Sequence, residues 1–332
     1  LVSVYAAAYE KTGDEAYRYM IEATCDFVLR ELRADGGAFY SSLDADSEGE
    51  EGKFYRWTDR ELKEFESVEG FQAFAKAFRL DQPPNFEGEF LVPDPGVALS
   101  RAAEDANLSF SDFVGSQAAT REAMLKVRAG RVRPGTDTKI LTAWNGLMVA
   151  GLADAGRVLD RKDYTSAALD AMGFLLKNSR DVNGRLLRSY AGDEARFNAY
   201  VDDYSFLASG LISLHRALGD DRLLKLASQL TDLQIELFWD EDSGGFFFTS
   251  SDHPELIVRL KDPVDSAVPS GASVTAENLM YLAQHSDRED YRDRLGSTLK
   301  SFVPLIRQAP SAAPRAAAVM AEYLDTVSAS KE

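Results

Sequence analysis

The stretch "GGAFYSSLDADSEGEEGKFYRWT", residues 36–58, sets Asp44, Asp46, Glu48, Glu50 and Glu51 beside the rings of Tyr40, Tyr55 and Trp57. Paired carboxylates can protonate a leaving oxygen and activate water, and flat rings can stack on a sugar. Three readings are open. An EF-hand loop starts in much this way, with Asp44, Asp46, Glu48 and Gly49, but its twelfth position is Tyr55, where calcium needs a bidentate carboxylate. A solvated acidic turn is the second reading. In the third, the segment is extended, and alternation puts Tyr40, Ser42, Asp44 and Asp46 on one face toward a cavity. Tyr55 and Trp57 then stack on a ligand from a returning strand, while Glu50 and Glu51 stay in solvent. A carboxyl buried in that way has a raised pKa and donates protons near neutrality.

Other constellations carry similar chemistry. In "RPGTDTKILTAWNGL", Asp137, Thr138 and Lys139 precede a helix that Thr142 can cap. Capping does not account for Lys139, Trp144 or Asn145. In "YVDDYSFLASG", one of Asp202 and Asp203 is expected as an N-cap. Like charges repel, so the other is a candidate acid, with Tyr204 as a stacking or hydrogen-bonding ring. In "RLKDPVDSAVPSGAS", alternation puts Arg259 and Lys261 on one strand face, as a clamp for hydroxyls or as a charged surface edge. Ser270 completes the candidate ligand-binding set.

Several chemistries lack their parts. The histidines are His215, His253 and His285. His215 continues a leucine stripe and reads as a packed residue, so a two-histidine epimerase mechanism has no obvious pair, and no zinc spacing occurs. No nucleophile elbow, P-loop or dinucleotide fingerprint is present. Cys25 is the single cysteine, which excludes an internal disulfide and reads as an inert buried thiol. Lys and Arg number 37 against 54 Asp and Glu, a net charge of −17 that disfavours nucleic acid and anionic membranes as partners. No cofactor or metal is expected. The chain opens inside an apolar helical pattern, which reads as a truncated start.

Helical periodicity dominates the elements that must position these groups. Tyr17, Met20, Ile21, Thr24, Val28 and Leu32 form one apolar face, and further helices read near 1–11, 142–159, 163–178, 204–218, 222–238, 273–285, 289–306 and 314–327. Polar turns such as "LDRKD" and "LGDDR" join antiparallel neighbours. "AWNGLMVAGLADAG" and "FLASGLISLHRAL" are apolar nearly all round and belong in an inner row. A weak repeat follows three helix pairs: "DGGAFYSS", "NGRLLRSY" and "SGGFFFTS", each a glycine turn opening a short hairpin. Residues 80–135, with the proline-rich "DQPPNFEGEFLVPDPG", read as an insertion carrying a short hairpin. The pattern predicts an all-α fold, one (α/α)6-type toroid spanning 1–332 with short β-hairpins between helix pairs.

"GGAFYSSLDADSEGEEGKFYRWT", "RPGTDTKILTAWNGLMVAGLA" and "VPSGAS" resemble signature stretches of the spermatogenesis-associated protein 20, or thioredoxin domain-containing, family. The resemblance runs from residue 1 to about 300. It implies a six-hairpin, glycosidase- and N-acylglucosamine 2-epimerase-like barrel, incomplete at its N-terminus, that follows a thioredoxin-like domain in the intact cytoplasmic protein. Where the family reads Asn in "PSGNS", this chain has Ala272. The expectation is a barrel that binds or modifies a saccharide. Asp44, Asp203 and Asp137 would be its acid–base carboxylates, and Asp46, Tyr55, Trp57, Lys139, Trp144, Asn145, Tyr204, Arg259, Lys261 and Ser270 would hold the ring. The alternative is a non-catalytic scaffold serving the thioredoxin-like domain.

Overall fold

The computed structural model describes residues 1–253 and 257–329. The helices begin with α1 (Val2–Thr12), α2 (Glu15–Glu31), α3 (Asp59–Lys63), α4 (Phe71–Ala77), α5 (Leu99–Asp105), α6 (Phe110–Gly115) and α7 (Ala118–Ala129). They continue with α8 (Thr142–Leu159), α9 (Lys162–Asn178), α10 (Val201–Leu218), α11 (Asp221–Phe238), α12 (Gly271–Gln284), α13 (Glu289–Gln308) and α14 (Pro314–Ala329). Among the described residues seven short strands lie between them: β1 (Ser42–Leu43), β2 (Asp46–Ser47), β3 (Glu50–Glu51), β4 (Thr136–Asp137), β5 (Ile140–Leu141), β6 (Leu187–Ala191) and β7 (Glu194–Asn198).

The chain divides into two compact units. The first comprises residues 1–7, 21–41 and 138–332, and the second residues 8–20 and 42–137. The insertion expected at 80–135 falls inside the second unit. It carries the Phe86–Phe90 bridge of a short hairpin, but also α5, α6 and α7, which the proline-rich opening concealed.

Unit 1 is built from successive helical hairpins, α8 with α9, α10 with α11 and α12 with α13. The first member of each pair lies against its counterpart, α8 on α10 and α10 on α12, with α14 next to α12. Val2 of α1 sits against Gly151 of α8, and Asp26 of α2 accepts a hydrogen bond from Tyr164 of α9, which extends both rows by one hairpin. An inner and an outer row of paired helices is the arrangement of the α/α toroid class. Inner helices α8 and α10 are buried around most of their circumference, as their small, apolar sequences require. Beside α9, burial and then the nearby Asp26 push the Cys25 thiol up to about 12, so it is the inert thiol expected.

The weak sequence repeat is a structural repeat. After each outer helix, a residue bridges the position six or seven further on: Arg33 to Phe39, Arg180 to Leu186 and Trp239 to Phe246. Each turn closes with the same bonds, Ala34 N–H to Ala38 O, Asp181 N–H to Arg185 O and Asp240 N–H to Gly245 O. Gly37, Gly184 and Gly244 hold positive φ at equivalent points, which explains why glycine marks all three stretches. The chain then returns to the next inner helix, directly through β6 and β7 in the second case and through the whole of residues 42–137 in the first.

Unit 2 is organised around Trp57, Leu62, Phe65, Phe71, Phe74, Leu91 and Met124. Its opening acidic run forms a tight hairpin, with Asp46 paired to Glu51 and Ser47 to Glu50. The turn residues Glu48 and Gly49 both have positive φ, as a type I′ turn demands.

Candidate functional site

The inner-helix N-termini of unit 1 converge on the adjacent aspartates of α10. Tyr200 is the N-cap, and Asp203, the third helical residue, reaches back so that Tyr200 N–H donates to its Oδ2 at 2.8 Å. Asp203 Oδ1 accepts the N–H of Ala143, in the first turn of α8, at 3.0 Å. Asp202 accepts the N–H of Gly271, the first residue of α12. That approach requires glycine, because a Cβ at residue 271 would stand 2.3 Å from Asp202 Oδ1. Two consecutive carboxylates thus tie three helix ends together, each placed at positive helix poles.

The two differ in what they can touch. Asp203 is fully buried, and desolvation pushes its carboxyl up to about 7 against the pull of the two N–H donors and Arg188. Arg188 Nη1 lies 3.7 Å from Asp203 Oδ2. Asp202 keeps partial exposure, and burial followed by the charge of Asp262 raises it to about 6. Arg188 joins the pair to a cleft of about 420 Å³, which it lines with Phe197, Asn198, Tyr200 and His253. The Arg188 guanidinium lies 4.6 Å from the centroid of the Tyr200 ring, and that ring stacks on Phe248 at 4.8 Å. Phe197 is 71% exposed and holds φ at +65°, a costly conformation for a bulky side chain, at the edge of this cleft.

The raised carboxyls have a consequence for stability. Their ionised forms are the penalised ones in the fold. Their contribution is therefore complete below about pH 4, where an unfolded aspartate also holds its proton. It drains away as pH climbs through about 6 for Asp202 and about 7 for Asp203. The unfolding midpoint is expected to fall between about pH 4 and pH 7 and to level off above, and Asp202→Asn to remove the part lying between about pH 4 and pH 6. A variant profile parallel to the parent's in a thermal-shift pH series would contradict this.

The residues expected from sequence are distributed as follows. Asp44 and Asp137 lie in unit 2, brought near one another by the β1–β4 ladder, where Ser42 pairs with Asp137 and Asp44 N–H donates to Gly135 O. Asp44 and Asp46 are exposed, and Asp46 N–H closes a turn on Asp44 Oδ1, so the burial on which an Asp44 proton donor depended is missing. Glu50 is not an idle solvated residue, since it pairs with Lys53 and the buried Arg56. Trp57 is 3% exposed and lies edge-on to Phe65, with Arg131 over its face. Tyr55 sits in a turn, and the return strand that was to alternate with Trp57 does not form. Trp57 is therefore a core residue, not a stacking platform.

In unit 1, Asn145 is buried with its amide engaged by Phe39 N–H, Phe39 O and Leu141 O. The Tyr204 hydroxyl accepts from Leu186 N–H. Phe39 and Leu186 are the bridge residues of the first two hairpins, so Asn145 and Tyr204 lock the repeat in place and do not face a ligand. Trp144 is half exposed, and Lys139 is exposed. Thr142 is the first helical residue, not the cap, and its hydroxyl donates to Leu187 O. Arg259 and Lys261 do share a face, both over Phe247, at 4.2 and 5.3 Å. They clamp the protein itself, with Arg259 on the carbonyls of Leu237 and Thr249 and Lys261 on Asp240 and Gly244. Ser270 caps α12 and donates to Asp262 O. Of the "SSDHPE" loop, Pro254 and Glu255 lie outside the described residues.

Arg188, Tyr200 and Phe197 escaped sequence reasoning. "NGRLLRSY" was legible as a hairpin but not as the carrier of a cleft arginine, and nothing in "EARFNAY" marks Phe197. Among the described residues no group of three or more His, Cys, Asp or Glu is placed to hold a metal ion, and no helix is long and apolar enough to cross a membrane.

Two rows of antiparallel helical hairpins with loop hairpins between them define an α/α toroid-class protein. No family model matches the chain. It is homologous to spermatogenesis-associated protein 20. The human protein of that name is 31% identical over 351 residues, covering 95% of this chain and 44% of the relative. The rat protein is 31% identical over 345 residues, 94% of this chain and 44% of the relative. The chain thus spans less than half the length of these relatives. Solved structures similar to it include a D-mannose isomerase, with 13% identity, TM-score 0.45, and coverage of 91% of this chain and 73% of the other. Cellobiose 2-epimerase from Bacillus thermoamylovorans has 13% identity and TM-score 0.42, covering 87% and 72%. An inactive variant of an α-1,6-mannanase of Salegentibacter, in complex with α-1,6-mannotetrose, has 12% identity and TM-score 0.42, covering 86% and 70%.

Proposed function

We propose that unit 1 binds a saccharide in the cleft of Arg188, Tyr200 and Phe197 and that Asp202 transfers protons to or from it. One observation carries this reading: a partly exposed carboxylate, raised to about 6, stands where three inner helices end beside an arginine stacked on a tyrosine. A carboxyl at that value serves as base near neutrality and as acid slightly below it. Arg188 and Asn198 offer donors to ring hydroxyls, and the exposed Phe197 ring offers a face to the apolar side of a pyranose. Asp203, fully buried, does not reach a ligand. It positions Asp202 and the start of α8 and opposes the Arg188 charge.

The resemblance to spermatogenesis-associated protein 20 supports a cytoplasmic setting in which this barrel accompanies a thioredoxin-like domain. A second reading is a scaffold for that domain, favoured by the use of both aspartates as acceptors for helix ends. Saturation-transfer NMR against a panel of mono- and oligosaccharides separates the two. Ligand signals are expected with the parent chain, weakened about tenfold in affinity by Arg188→Met. Asp202→Asn is expected to keep binding while isomerisation or hydrolysis of the bound sugar falls by about a hundredfold or more. A panel that gives no signal leaves the scaffold reading.

A further inference from the structure

Unit 2 contains a separate cleft of about 240 Å³. Its floor is Trp57, Phe74 and Met124, and Tyr19, Arg121 and Arg128 stand around it. Arg121 and Arg128 lie two turns apart on one face of α7. The Arg121 guanidinium is 5.4 Å from the centroid of the Tyr19 ring, and its Nη2, shut off from water, has no hydrogen-bond partner among the described residues. A guanidinium presents five donors and cannot shed its charge, so where it lines a cleft it favours an anion. The surrounding sequence is unusual for so acidic a chain. Residues 121–133 carry Arg121, Lys126, Arg128, Arg131 and Arg133 against Glu122 alone.

We propose that this cleft binds a carboxylate borne on an aromatic or branched apolar body. The body would rest on Phe78, Pro93 and Leu125, the more accessible apolar lining of the cleft, and the carboxylate would meet the part of the Arg121 guanidinium that lines it. The volume is that of about eight water molecules, which suits a group the size of phenylacetate. A neutral polar ligand and a purely apolar one both leave the guanidinium charge unanswered. Two sources share this chemistry, a free aromatic acid and the C-terminal carboxylate of a peptide ending in a large apolar residue.

Titration calorimetry on the whole chain tests it with phenylacetate, phenylacetamide, N-acetyl-Gly-Phe and the amide of that dipeptide. At least one acid is expected to bind, with its matching amide about tenfold weaker or worse. Arg121→Met is expected to reduce the acid to the level of the amide without lowering the thermal midpoint, because Arg121 makes no ion pair among the described residues. Binding of phenylacetate alone identifies a small metabolite as the source, and binding of the dipeptide acid identifies a chain terminus. The proposal is overturned if neither acid binds at millimolar concentration, if acid and amide bind alike, or if Arg121→Met leaves the affinity of the acid unchanged. The acid–amide comparison on the parent chain holds whether or not the variant folds.

Discussion

Replacing Gly146 with alanine is expected to cost about 3 kcal/mol of stability, although it adds one methyl group. A Cβ there would stand 2.6 Å from the carbonyl carbon of Phe206 and 2.7 Å from the N of Leu207, both backbone atoms of α10. Backbone cannot swing aside as a side-chain tip does, so α8 and α10 would have to separate. Gly210 makes the reciprocal approach, its own added Cβ falling 3.1 Å from Gly146 O. This is the crossing that brings Ala143 N–H to Asp203, so the same variant should disturb the site. Denaturant unfolding followed by circular dichroism measures the loss. A midpoint within error of the parent would show that the inner row does not depend on this close crossing.

Asp203→Ala is expected to be comparably damaging, with a dependence on pH that identifies the cause. Removing the side chain strips the acceptor from two N–H groups and leaves Arg188 beside an empty position, a loss of about 3 kcal/mol at pH 5. In the parent, the carboxyl raised to about 7 becomes progressively unfavourable between pH 5 and pH 8. The variant escapes that burden, so its deficit is expected to narrow by roughly 2 kcal/mol over the same interval. Unfolding curves at the two pH values decide it. A deficit that is constant or that widens with pH would mean that Asp203 is ionised throughout and held by its donors.

Much of the architecture was legible because helical periodicity is a local property. The "AWNGLMVAGLADAG" and "FLASGLISLHRAL" stretches are small and apolar on every side, which only an inner helix satisfies, and they are α8 and α10. The three glycine stretches were readable as turns because each needs positive φ at one position, and the shared bridge geometry followed. Helices α5 to α7 were less visible, because the prolines at 83, 84, 93 and 95 dominate the run that precedes them.

The site was readable as composition but not as assignment. Sequence alone marked "YVDDYS" as two carboxylates of which one would be structural and one available. From sequence Asp203 reads as the available one, but which of the two is open depends on where α8 and α12 end relative to α10. Packing gave Asp203 to the N–H groups of Ala143 and Tyr200 and left Asp202 partly open beside Arg188. The same dependence displaced Trp57, Asn145 and Tyr204 from ligand roles. An aromatic ring or an amide has one appearance in sequence whether it faces a cavity or closes a core. By itself the chain determined its helices, their inner and outer ranks, its glycine turns and its acidic character, all set by spacing of a few residues. Burial, pKa and the partner of each polar atom arise between residues distant in sequence, such as Asp202 with Gly271 or Asn145 with Phe39, and only the tertiary structure decided them.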